Sequence, residues 1–425
     1  MNDNPFFTND IKEDKSSYPL YHEYTIPEKF SDVTWREIRK MSTEEFHVFM
    51  EEIRLWILDM FYNHKINVLT AAKSIDEIKS RFKKFTNQDV NKYFKEDKIK
   101  VLYGSSNKWS SCVNNWFPEM MAVKTSHSYP ASVVDLLENK EYFHNSVLKV
   151  VFEDALKIYY KVPDRSFFRM FRKSLQITRG VQTVTNFPAH VAKLLHIKYL
   201  SQWDDDVLNV YDPCMGWAGR MISLFAASTH IALHNKKINL IGTDVNTDVH
   251  ERFDMIYRFW DTYVSSLKNI TLNKFVVPAE DMHTVPEFKK LEGQGHLAFT
   301  SPPYFDKELY SEDETQSYIR YNKNYDEWRD GFLYGLLTDT YSYLRPGGTF
   351  LLNVANTRPK KDGTFTAPIE NDSIALGESV GFRYDGKYHF LISLMPGKSY
   401  KSNRNIVKVD DIEWKYEPIH ILTKV

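Results

Sequence analysis

The feature that most constrains this chain is an alternation of short apolar runs with helix-length amphipathic segments, from residue 183 to the end. The apolar runs predict strands over 207–211, 238–242, 274–277, 296–299, 349–354, 388–394 and 418–423. Helical spacing predicts helices after 186–188 and over 220–227, 251–267 and 328–344. Strands separated by helices need right-handed crossovers, so residues 183–425 are predicted to form an α/β domain with a seven-stranded parallel sheet. We expect its functional site at the carboxyl ends of the strands.

The first half of the chain has a different character. Residues 1–33 are polar, with prolines at positions 5, 19 and 27, and we expect them to be extended over the surface or mobile. Residues 34–182 are predicted to be mainly helical. Ser42 and Glu45 form a capping box, and the apolar residues that follow recur at spacings of three and four. These patterns divide the chain into a lead-in of 1–33, a helical domain of 34–182 and the α/β domain of 183–425.

Composition excludes several classes of protein. A formal net charge of -1 argues against wholesale electrostatic wrapping of nucleic acid, although one local basic face remains compatible with it. No apolar stretch is long enough to cross a membrane, and the polar start does not resemble a signal peptide, so we expect an intracellular protein. The only cysteines are Cys112 and Cys214. They exclude a disulfide framework, and with no paired histidine spacing we predict no metal site.

Basic and aromatic residues alternate just before the α/β domain. Four cations, Arg165, Arg169, Arg172 and Lys173, fall on a predicted helix. They are candidate contacts to a nucleic-acid backbone, above a buried row that contains Phe168 and Phe171. The alternative is a solvated helix face whose arginine stems cover apolar surface.

A rigid corner follows the predicted strand 296–299. It contains Ser301, Pro302, Pro303 and Tyr304. Prolines cannot join a strand ladder, so they end the strand and fix a hydroxyl, a carbonyl and a flat ring at set distances from one another. Recognition of a planar, amino-bearing base requires such an arrangement. Taken alone, these residues could equally form a turn or a proline-rich ligand.

Acidic residues and glycines mark the ends of three preceding strands. Asp212 and Pro213 begin a turn that contains Gly216 and Gly219, where glycine lets a ligand approach the backbone closely. Asp244 ends the next strand, in the position of a carboxylate that accepts ribose hydroxyls. Glu280 and Asp281 follow the third strand. A single acid of this kind usually caps a helix, but three consecutive strand ends predict a shared binding site.

Together these motifs resemble the S-adenosylmethionine-dependent amino-methyltransferases of the phage and bacterial DNA-modification type. The resemblance runs from about residue 183 to the end and implies a Rossmann-like methyltransferase sheet. It rests on Asn186-Phe187-Pro188, on the Asp-Pro-Cys-Met-Gly-Trp-Ala-Gly stretch from Asp212 and on the Ser-Pro-Pro-Tyr corner. It further implies a DNA substrate, no membrane and no metal, and the cytoplasm of a bacterial or phage-infected cell.

The resemblance also implies roles for the motif residues. Phe187 and Pro188 pack near the methionine moiety of S-adenosylmethionine, which Asp212, Pro213, Gly216 and Gly219 line. Asp244 holds the ribose, and Glu280 or Asp281 meets the adenine. Ser301 and Pro302 accept the two amino hydrogens of a base swung out of the helix, and Tyr304 stacks on that base. The serine-initial corner is more typical of cytosine 4-amino enzymes than of adenine enzymes.

The sequence departs from the family pattern in three places. Ala218 occupies the place of the second glycine, Cys214 occupies that of a phenylalanine, and no target-recognition insert separates the motifs. We therefore assign target recognition to residues 34–182 together with the loop 306–325. Two rival interpretations remain. One is an enzyme of the same fold that acts on an RNA base or another amino group, and the other is a catalytically silent DNA-binding protein.

Overall fold

The computed structural model describes residues 24–70, 73–104, 116–124, 131–147, 163–177, 181, 183–263, 269–307, 310, 313–357, 366–392 and 405–425. These residues are the described part of the chain. No helix within it is long and apolar enough to cross a membrane. The described residues also contain no cluster of His, Cys, Asp and Glu side chains that could hold a metal ion.

One sheet organises the described chain. Its strands are β1 (Phe94–Glu96), β2 (Lys100–Tyr103), β3 (Val207–Asp212), β4 (Lys237–Thr243), β5 (Ile270–Phe275), β6 (Gly295–Thr300), β7 (Leu344–Asn353), β8 (Phe382–Ile392), β9 (Ile406–Val409) and β10 (Ile412–Lys424). They lie in the order β1-β2-β8-β10-β7-β6-β3-β4-β5, and β9 pairs with β10. Strands β3 to β7 run parallel, and β10 is inserted antiparallel between β7 and β8.

The prediction of an α/β fold with a Rossmann-like sheet is confirmed, but the prediction of a fully parallel sheet is wrong for β10, which runs antiparallel to both of its neighbours. Each of the seven predicted strands has a counterpart among β3 to β8 and β10, and β9 adds a short hairpin to β10. The strand order changes direction between β3 and β6, because the chain proceeds outward to β4 and β5 before it returns to β6. A crevice forms at such a switch point, above the carboxyl ends of the strands.

Helices cover both faces of this sheet. In the second half they are Ala189–Leu200, Gly219–Ser228, Thr247–Tyr263, Pro286–Lys289, Ser317–Arg320, Tyr325–Trp328, Tyr334–Tyr343 and Ile369–Val380. Shorter 3-10 and π turns are Ala279–Thr284 and Arg329–Leu333. The buried faces of β3, β4 and β6 contribute Leu208, Leu240 and Leu297 to the main core, so the sheet positions the strand ends rigidly.

Residues before position 183 form two groups with different neighbours. The helices are Glu28–Ser31, Trp35–Ile38, Thr43–Tyr62, Ile75–Thr86, Val133–Glu138, Lys140–Tyr142 and Phe167–Ile177, with 3-10 turns Asn91–Tyr93 and Pro118–Met121 and a π turn Phe143–Val147. The helices around Thr43–Tyr62 and Phe167–Ile177 enclose an aromatic core of their own, which contains Phe30, Trp35 and Phe167. Other residues of this region, among them Ile78, Phe82 and Phe117, pack instead on the main core of the sheet.

Two findings refine the predicted organisation of this region. Ser42 does cap the helix Thr43–Tyr62, with Glu45 completing the capping box. The predicted helical domain of 34–182 also contains two strands, because β2 pairs in parallel with β8 and β1 extends the sheet edge. The lead-in was predicted to reach residue 33, but Glu28–Ser31 is helical and Phe30 is buried, since its ring packs on Phe49 and Trp56. Residues 1–23 lie outside the described chain.

Candidate functional site

A pocket opens where four neighbouring parallel strands end. It encloses about 760 Å³, counting the open solvent at its mouth. Its walls come from the turns that follow β3, β4, β5 and β6, and from the segment after β6. The lining residues are Pro213, Cys214, Gly216, Trp217, Asp244, Val245, Asn246, Val249, Val277, Ala279, Glu280, Ser301, Pro303, Tyr310, Thr315, Gln316, Ser317 and Phe332.

The pocket brings together six of the thirteen predicted cofactor and catalytic residues. Those that line it are Pro213, Gly216, Asp244, Glu280, Ser301 and Pro303. Those that do not line it are Phe187, Pro188, Asp212, Gly219, Asp281, Pro302 and Tyr304. The pocket thus joins six of the predicted residues in one wall at the switch point of the sheet, and the other seven do not line it.

The turn after β3 depends on left-handed backbone conformations. Gly216 has φ +54° and Ala218 has φ +55°, a region that glycine adopts without penalty and alanine at a cost of about 1–2 kcal/mol. The helix Gly219–Ser228 begins directly afterwards. Ala218 therefore departs from glycine at a position where the backbone geometry would favour glycine.

The Asn186-Phe187-Pro188 motif packs against this turn. The side-chain amide of Asn186 donates to the carbonyl oxygen of Trp217 at 2.7 Å. A Cβ added to Gly219 would lie only 2.2 Å from Oδ1 of Asn186, so the glycine allows this close approach. The ring of Phe187 packs against Phe299, and Pro188 precedes the helix Ala189–Leu200 as its N-cap residue. The motif supports the turn after β3 from outside the pocket.

Asp212 is buried behind the pocket in a two-point ion pair. Arg220 donates from Nε to Oδ2 at 3.0 Å and from Nη2 to Oδ1 at 2.9 Å. Nη2 also donates to the carbonyl oxygen of Cys214. Both ionic side chains are at least nine-tenths buried. This geometry does not fit the direct cofactor contact predicted for Asp212, because the carboxylate instead holds Arg220 and the turn in place.

Asp244 faces the pocket and ties two strand ends together. Its Oδ2 accepts the backbone N–H of Gly216 at 2.8 Å, and its Oδ1 accepts that of Asn246 at 3.0 Å. Burial raises the pKa of Asp244 to about 6, although the two backbone hydrogen bonds oppose the shift. Each carboxylate oxygen can accept a further hydrogen bond. Asp244 can therefore bind a ligand hydroxyl without giving up its backbone partners.

The two acids after β5 have different surroundings. Glu280 lines the pocket and is 5% exposed, whereas Asp281 does not line it. Nη1 of Arg320 donates to Oε1 of Glu280 at 3.0 Å and to Oδ2 of Asp281 at 2.7 Å. The Tyr321 hydroxyl donates to the same Oε1 at 3.1 Å. The sequence left open whether Glu280 or Asp281 contacts a ligand, and Glu280 is the one that lines the pocket.

The corner after β6 presents its serine to the pocket. Ser301 and Pro303 line the wall, and Pro302 is buried. Among the described residues the Ser301 hydroxyl has no hydrogen-bond partner, so it is available to a ligand. Phe305 adopts φ +54° and packs on Tyr318 at 5.1 Å between ring centroids.

Tyr304 is not exposed in this arrangement. Its side chain is 5% exposed, and the ammonium nitrogen of Lys307 lies 4.5 Å from the centroid of its ring. The backbone N–H of Lys307 donates to the carbonyl oxygen of Tyr304 at 3.1 Å, which fixes the turn between them. Stacking of a base on Tyr304 therefore requires that the Lys307 side chain leave the ring.

The predicted basic helix divides into an outer and an inner part. Arg165 and Arg169 are exposed. Arg172 points inward, because its Nη1 donates to the carbonyl oxygens of Thr70 at 2.5 Å and Val68 at 3.4 Å. This placement does not fit a phosphate contact for Arg172. The side chain of Lys173 lies outside the described residues, and Phe168 and Phe171 are buried as predicted.

Sequence reasoning missed two parts of the site. Trp217 lines the pocket, and within the described chain its buried indole N–H has no hydrogen-bond partner. Its ring packs on Phe117 at 5.5 Å, and Glu119 in the same segment binds Arg252 at 2.9 Å. The second part is Arg320 with Tyr321. The position of Trp217 between two functional glycines could have indicated it, but nothing in the local sequence pairs Glu280 with Arg320.

Comparisons with known proteins yield structural matches alone. No family model matches the chain, and no curated protein does. A candidate DNA modification methylase from Thermus thermophilus matches at 18% identity with a TM-score of 0.23, over 35% of this chain and 52% of that chain. The same methylase has been solved with S-adenosyl-L-methionine. The chain thus spans about half the length of these methylase chains.

Two further solved structures are matched over more of their own length. A geranyl diphosphate methyltransferase in complex with S-adenosylmethionine matches at 11% identity with a TM-score of 0.34, over 56% of this chain and 86% of that chain. A SAM-dependent methyltransferase from Methanosarcina mazei matches at 12% identity with a TM-score of 0.32, over 57% and 99%. Similarities of this size assign no function to the chain.

Proposed function

We propose that this protein is an S-adenosylmethionine-dependent methyltransferase that modifies an exocyclic amino group of a DNA base, with the cytosine 4-amino group favoured over the adenine 6-amino group. One observation carries the proposal. Ser301 of the Ser-Pro-Pro-Tyr corner lines the same pocket as Gly216, Asp244 and Glu280, which follow the three neighbouring strands. A cofactor-binding set and an amine-binding corner thereby meet at the switch point of one sheet.

The residues of the pocket fit S-adenosylmethionine along its length. Gly216 gives the ligand close access to the backbone, and the carboxylate of Asp244 accepts the ribose hydroxyls. The carboxylate of Glu280 accepts a hydrogen bond from the 6-amino group of the adenine. When bound, the cofactor supplies an electrophilic sulfonium methyl group. The buried Trp217 indole N–H offers a further donor to a ligand in the same pocket.

The amine-binding corner addresses a specific chemical problem. The lone pair of an exocyclic amine is delocalised into the ring, so the nitrogen is a weak nucleophile. The Ser301 hydroxyl and the Pro302 carbonyl accept the two amino hydrogens and favour a pyramidal nitrogen whose lone pair points at the methyl group. Serine also accounts for the preference for cytosine, since the serine-initial corner is the form that cytosine 4-amino enzymes more often carry.

Cys214 has no part in this chemistry. Burial raises the pKa of the Cys214 thiol well above its ordinary value, with Asp244 and Asp212 contributing in the same direction. A thiol held in its neutral form is a poor nucleophile. Methylation of an amino group needs no cysteine nucleophile, so the proposed chemistry does not require Cys214.

Target recognition is assigned to the region before residue 183. Arg165 and Arg169 remain as exposed candidates for phosphate contacts. The loop 306–325 is assigned to the same role, and the positions of Tyr310 and Thr315 in the pocket wall support this assignment. Arg172 is no longer part of the proposed DNA surface.

The experiment that tests the proposed function is transfer of labelled methyl from S-adenosylmethionine to unmethylated genomic DNA, with total RNA in parallel. Nucleoside mass analysis then identifies the product. Label in 4-methylcytosine supports the full proposal, and label in 6-methyladenine supports it with the other base. Label in RNA alone would overturn the DNA substrate, and the absence of both transfer and cofactor binding would overturn the enzymatic function.

A further inference from the structure

We propose that Arg320 is a positioning residue that sets the preference of the pocket for an adenine-bearing cofactor, by holding Glu280 as an oriented acceptor. The inference rests on the proposed function. It concerns a residue that contacts neither the sulfonium centre nor the target base. Arg320 ends the short helix Ser317–Arg320, which follows the catalytic corner after β6, and Glu280 follows β5, which is separated from β6 by β3 and β4.

The hydrogen bonds that hold Glu280 reach one of its two carboxylate oxygens. Arg320 Nη1 and the Tyr321 hydroxyl both donate to Oε1 of Glu280, at 3.0 and 3.1 Å. Within the described residues, no side chain donates to Oε2 of Glu280. Because Glu280 lines the pocket, Oε1 serves as the anchor and Oε2 remains for a ligand.

A helix packs directly behind Glu280. A Cβ added to Gly335 would lie 2.6 Å from Cβ of Glu280, so the helix Tyr334–Tyr343 passes in direct contact behind it. Arg320 is fixed from its own side as well. Asp281 accepts from the same Nη1 at 2.7 Å, and the indole N–H of the fully buried Trp328 donates to the Ser317 hydroxyl at 3.1 Å.

The charge of Arg320 has a chemical consequence. Burial raises the pKa of Glu280, and the nearby guanidinium acts against that shift. An ionised carboxylate only accepts hydrogen bonds, whereas a protonated carboxyl also donates one. The ionised form therefore fits the 6-amino group of adenine and repels the 6-oxo group of hypoxanthine. Without Arg320, the buried carboxyl takes up a proton more readily and loses this discrimination.

The test compares two ligands that differ at this one position of the purine. Binding of S-adenosylhomocysteine and of its 6-oxo analogue S-inosylhomocysteine is measured by calorimetry on the full chain at pH 7.5. One charge-assisted hydrogen bond corresponds to about 10- to 100-fold preference for the adenine ligand in the unaltered protein. Arg320→Met is expected to reduce that preference to about threefold or less, mainly through weaker binding of the adenine ligand.

Three further variants separate positioning from general damage. Arg320→Lys keeps the charge and is expected to retain most of the preference. Tyr321→Phe removes one donor to Oε1 without a change of charge, and a smaller loss is expected. Arg329→Met is the matched control, because Arg329 forms exposed ion pairs with Asp326 and Asp330 and does not line the pocket.

The outcomes are distinguishable. If the unaltered protein binds neither ligand, the proposed function fails. If it binds both equally, Glu280 does not select the purine and the inference fails while a methyltransferase function stands. If Arg320→Met weakens both ligands by the same factor, or Tyr321→Phe leaves the preference intact while Arg320→Met does not fold, the positioning role is overturned.

Discussion

The backbone N–H of Gly216 donates to Oδ2 of Asp244 at 2.8 Å, which joins the turn after β3 to the end of β4. The second oxygen of Asp244 accepts the N–H of Asn246 at 3.0 Å. The Asp244 carboxylate therefore connects two adjacent walls of the pocket, at the position proposed for the ribose of the cofactor. We therefore expect the affinity of the pocket for the cofactor to depend on the protonation of Asp244.

Cofactor binding is predicted to weaken at acidic pH. The ribose hydroxyls donate to an ionised carboxylate, and burial raises the pKa of Asp244 to about 6. If only the ionised form binds, the affinity for S-adenosylhomocysteine at pH 5 should be about tenfold lower than at pH 7.5. Calorimetric titrations across this range measure the effect. Asp244→Asn should bind weakly with a shallower pH dependence, and equal affinity of the unaltered protein at pH 5 and 7.5 would contradict the role of Asp244.

Asp244 also affects the stability of the fold, and here the protonated form of its carboxyl group is the favourable one. Its pKa is higher in the folded chain than the ordinary carboxyl value, so the folded state binds the proton more tightly. The contribution of Asp244 to the free energy of unfolding is therefore present at low pH and lost as the pH rises through about 6. The ionised carboxylate, which is the form proposed to bind the cofactor, is thus the form that stabilises the unliganded fold least.

Gly219→Ala is predicted to damage the cofactor turn. The new Cβ would lie 2.2 Å from Oδ1 of Asn186 and 3.1 Å from the carbonyl oxygen of Phe187, both part of the motif that supports the turn. A shift that relieves this overlap disturbs the Asn186 hydrogen bond to Trp217 and should cost about 1–3 kcal/mol in urea unfolding. Cofactor affinity should fall as well.

Ala218→Gly provides the control for that change. It relieves a left-handed alanine next to the same turn, while it adds entropy to the unfolded chain. The two effects oppose each other, and the free energy of unfolding should change by less than about 1 kcal/mol. Unaltered stability of Gly219→Ala would show that the motif and the turn are not packed as described.

Arg172 and Arg169 are predicted to have separate roles, although they lie on one helix. Arg172→Met removes donors to the carbonyl oxygens of Thr70 and Val68, so it should lower the free energy of unfolding by about 1–3 kcal/mol. Arg169→Met removes an exposed cation, so it should leave stability unchanged and weaken DNA binding. Urea unfolding and filter binding measure the two effects. Equal effects of both variants on DNA affinity, with no loss of stability, would contradict this division.

Lys307 is predicted to contact the substrate after it leaves the Tyr304 ring. Its ammonium lies 4.5 Å from the ring centroid, where a base would stack. Lys307→Met should reduce the salt dependence of DNA binding by about one unit of slope and raise KM for DNA, with cofactor affinity unchanged. The exposed Lys323→Met is the matched control. A salt dependence that is the same in both variants would argue against a phosphate contact by Lys307.

The strands of the sheet could be predicted because each carries its own local pattern. β3 and β6 were placed within one residue of their observed ends, since their apolar runs stop at Asp212 and at the prolines after Thr300. β5 begins four residues and ends two residues earlier than predicted, because its burial pattern is mixed and gives no sharp boundary. β1 and β2 were missed, since strands of three and four residues that depend on pairing with β8 leave no periodicity of their own.

The candidate site was predictable where the chemistry is local and not where it depends on distant contacts. Gly216, Asp244 and Ser301 follow strand ends directly, so their motifs located them. The arginine partners could not be read in this way. Arg220 pairs with Asp212 within one motif, but the sequence of that motif does not indicate where either side chain points. Arg320 binds Glu280, which lies forty residues away in the chain. Alternation of basic and aromatic residues likewise does not tell which arginine turns inward.

The most direct test of the central claim is methyl transfer to DNA by Ser301→Ala at saturating S-adenosylmethionine, measured together with its affinity for S-adenosylhomocysteine. Ser379→Ala, which removes an exposed hydroxyl, is the control. Loss of an acceptor that acts on the amino group during transfer should lower kcat by about 10²- to 10³-fold and leave the Kd of the cofactor product within about twofold. An equal loss of turnover and affinity, or full turnover without the Ser301 hydroxyl, would contradict the assignment of this corner as the catalytic centre.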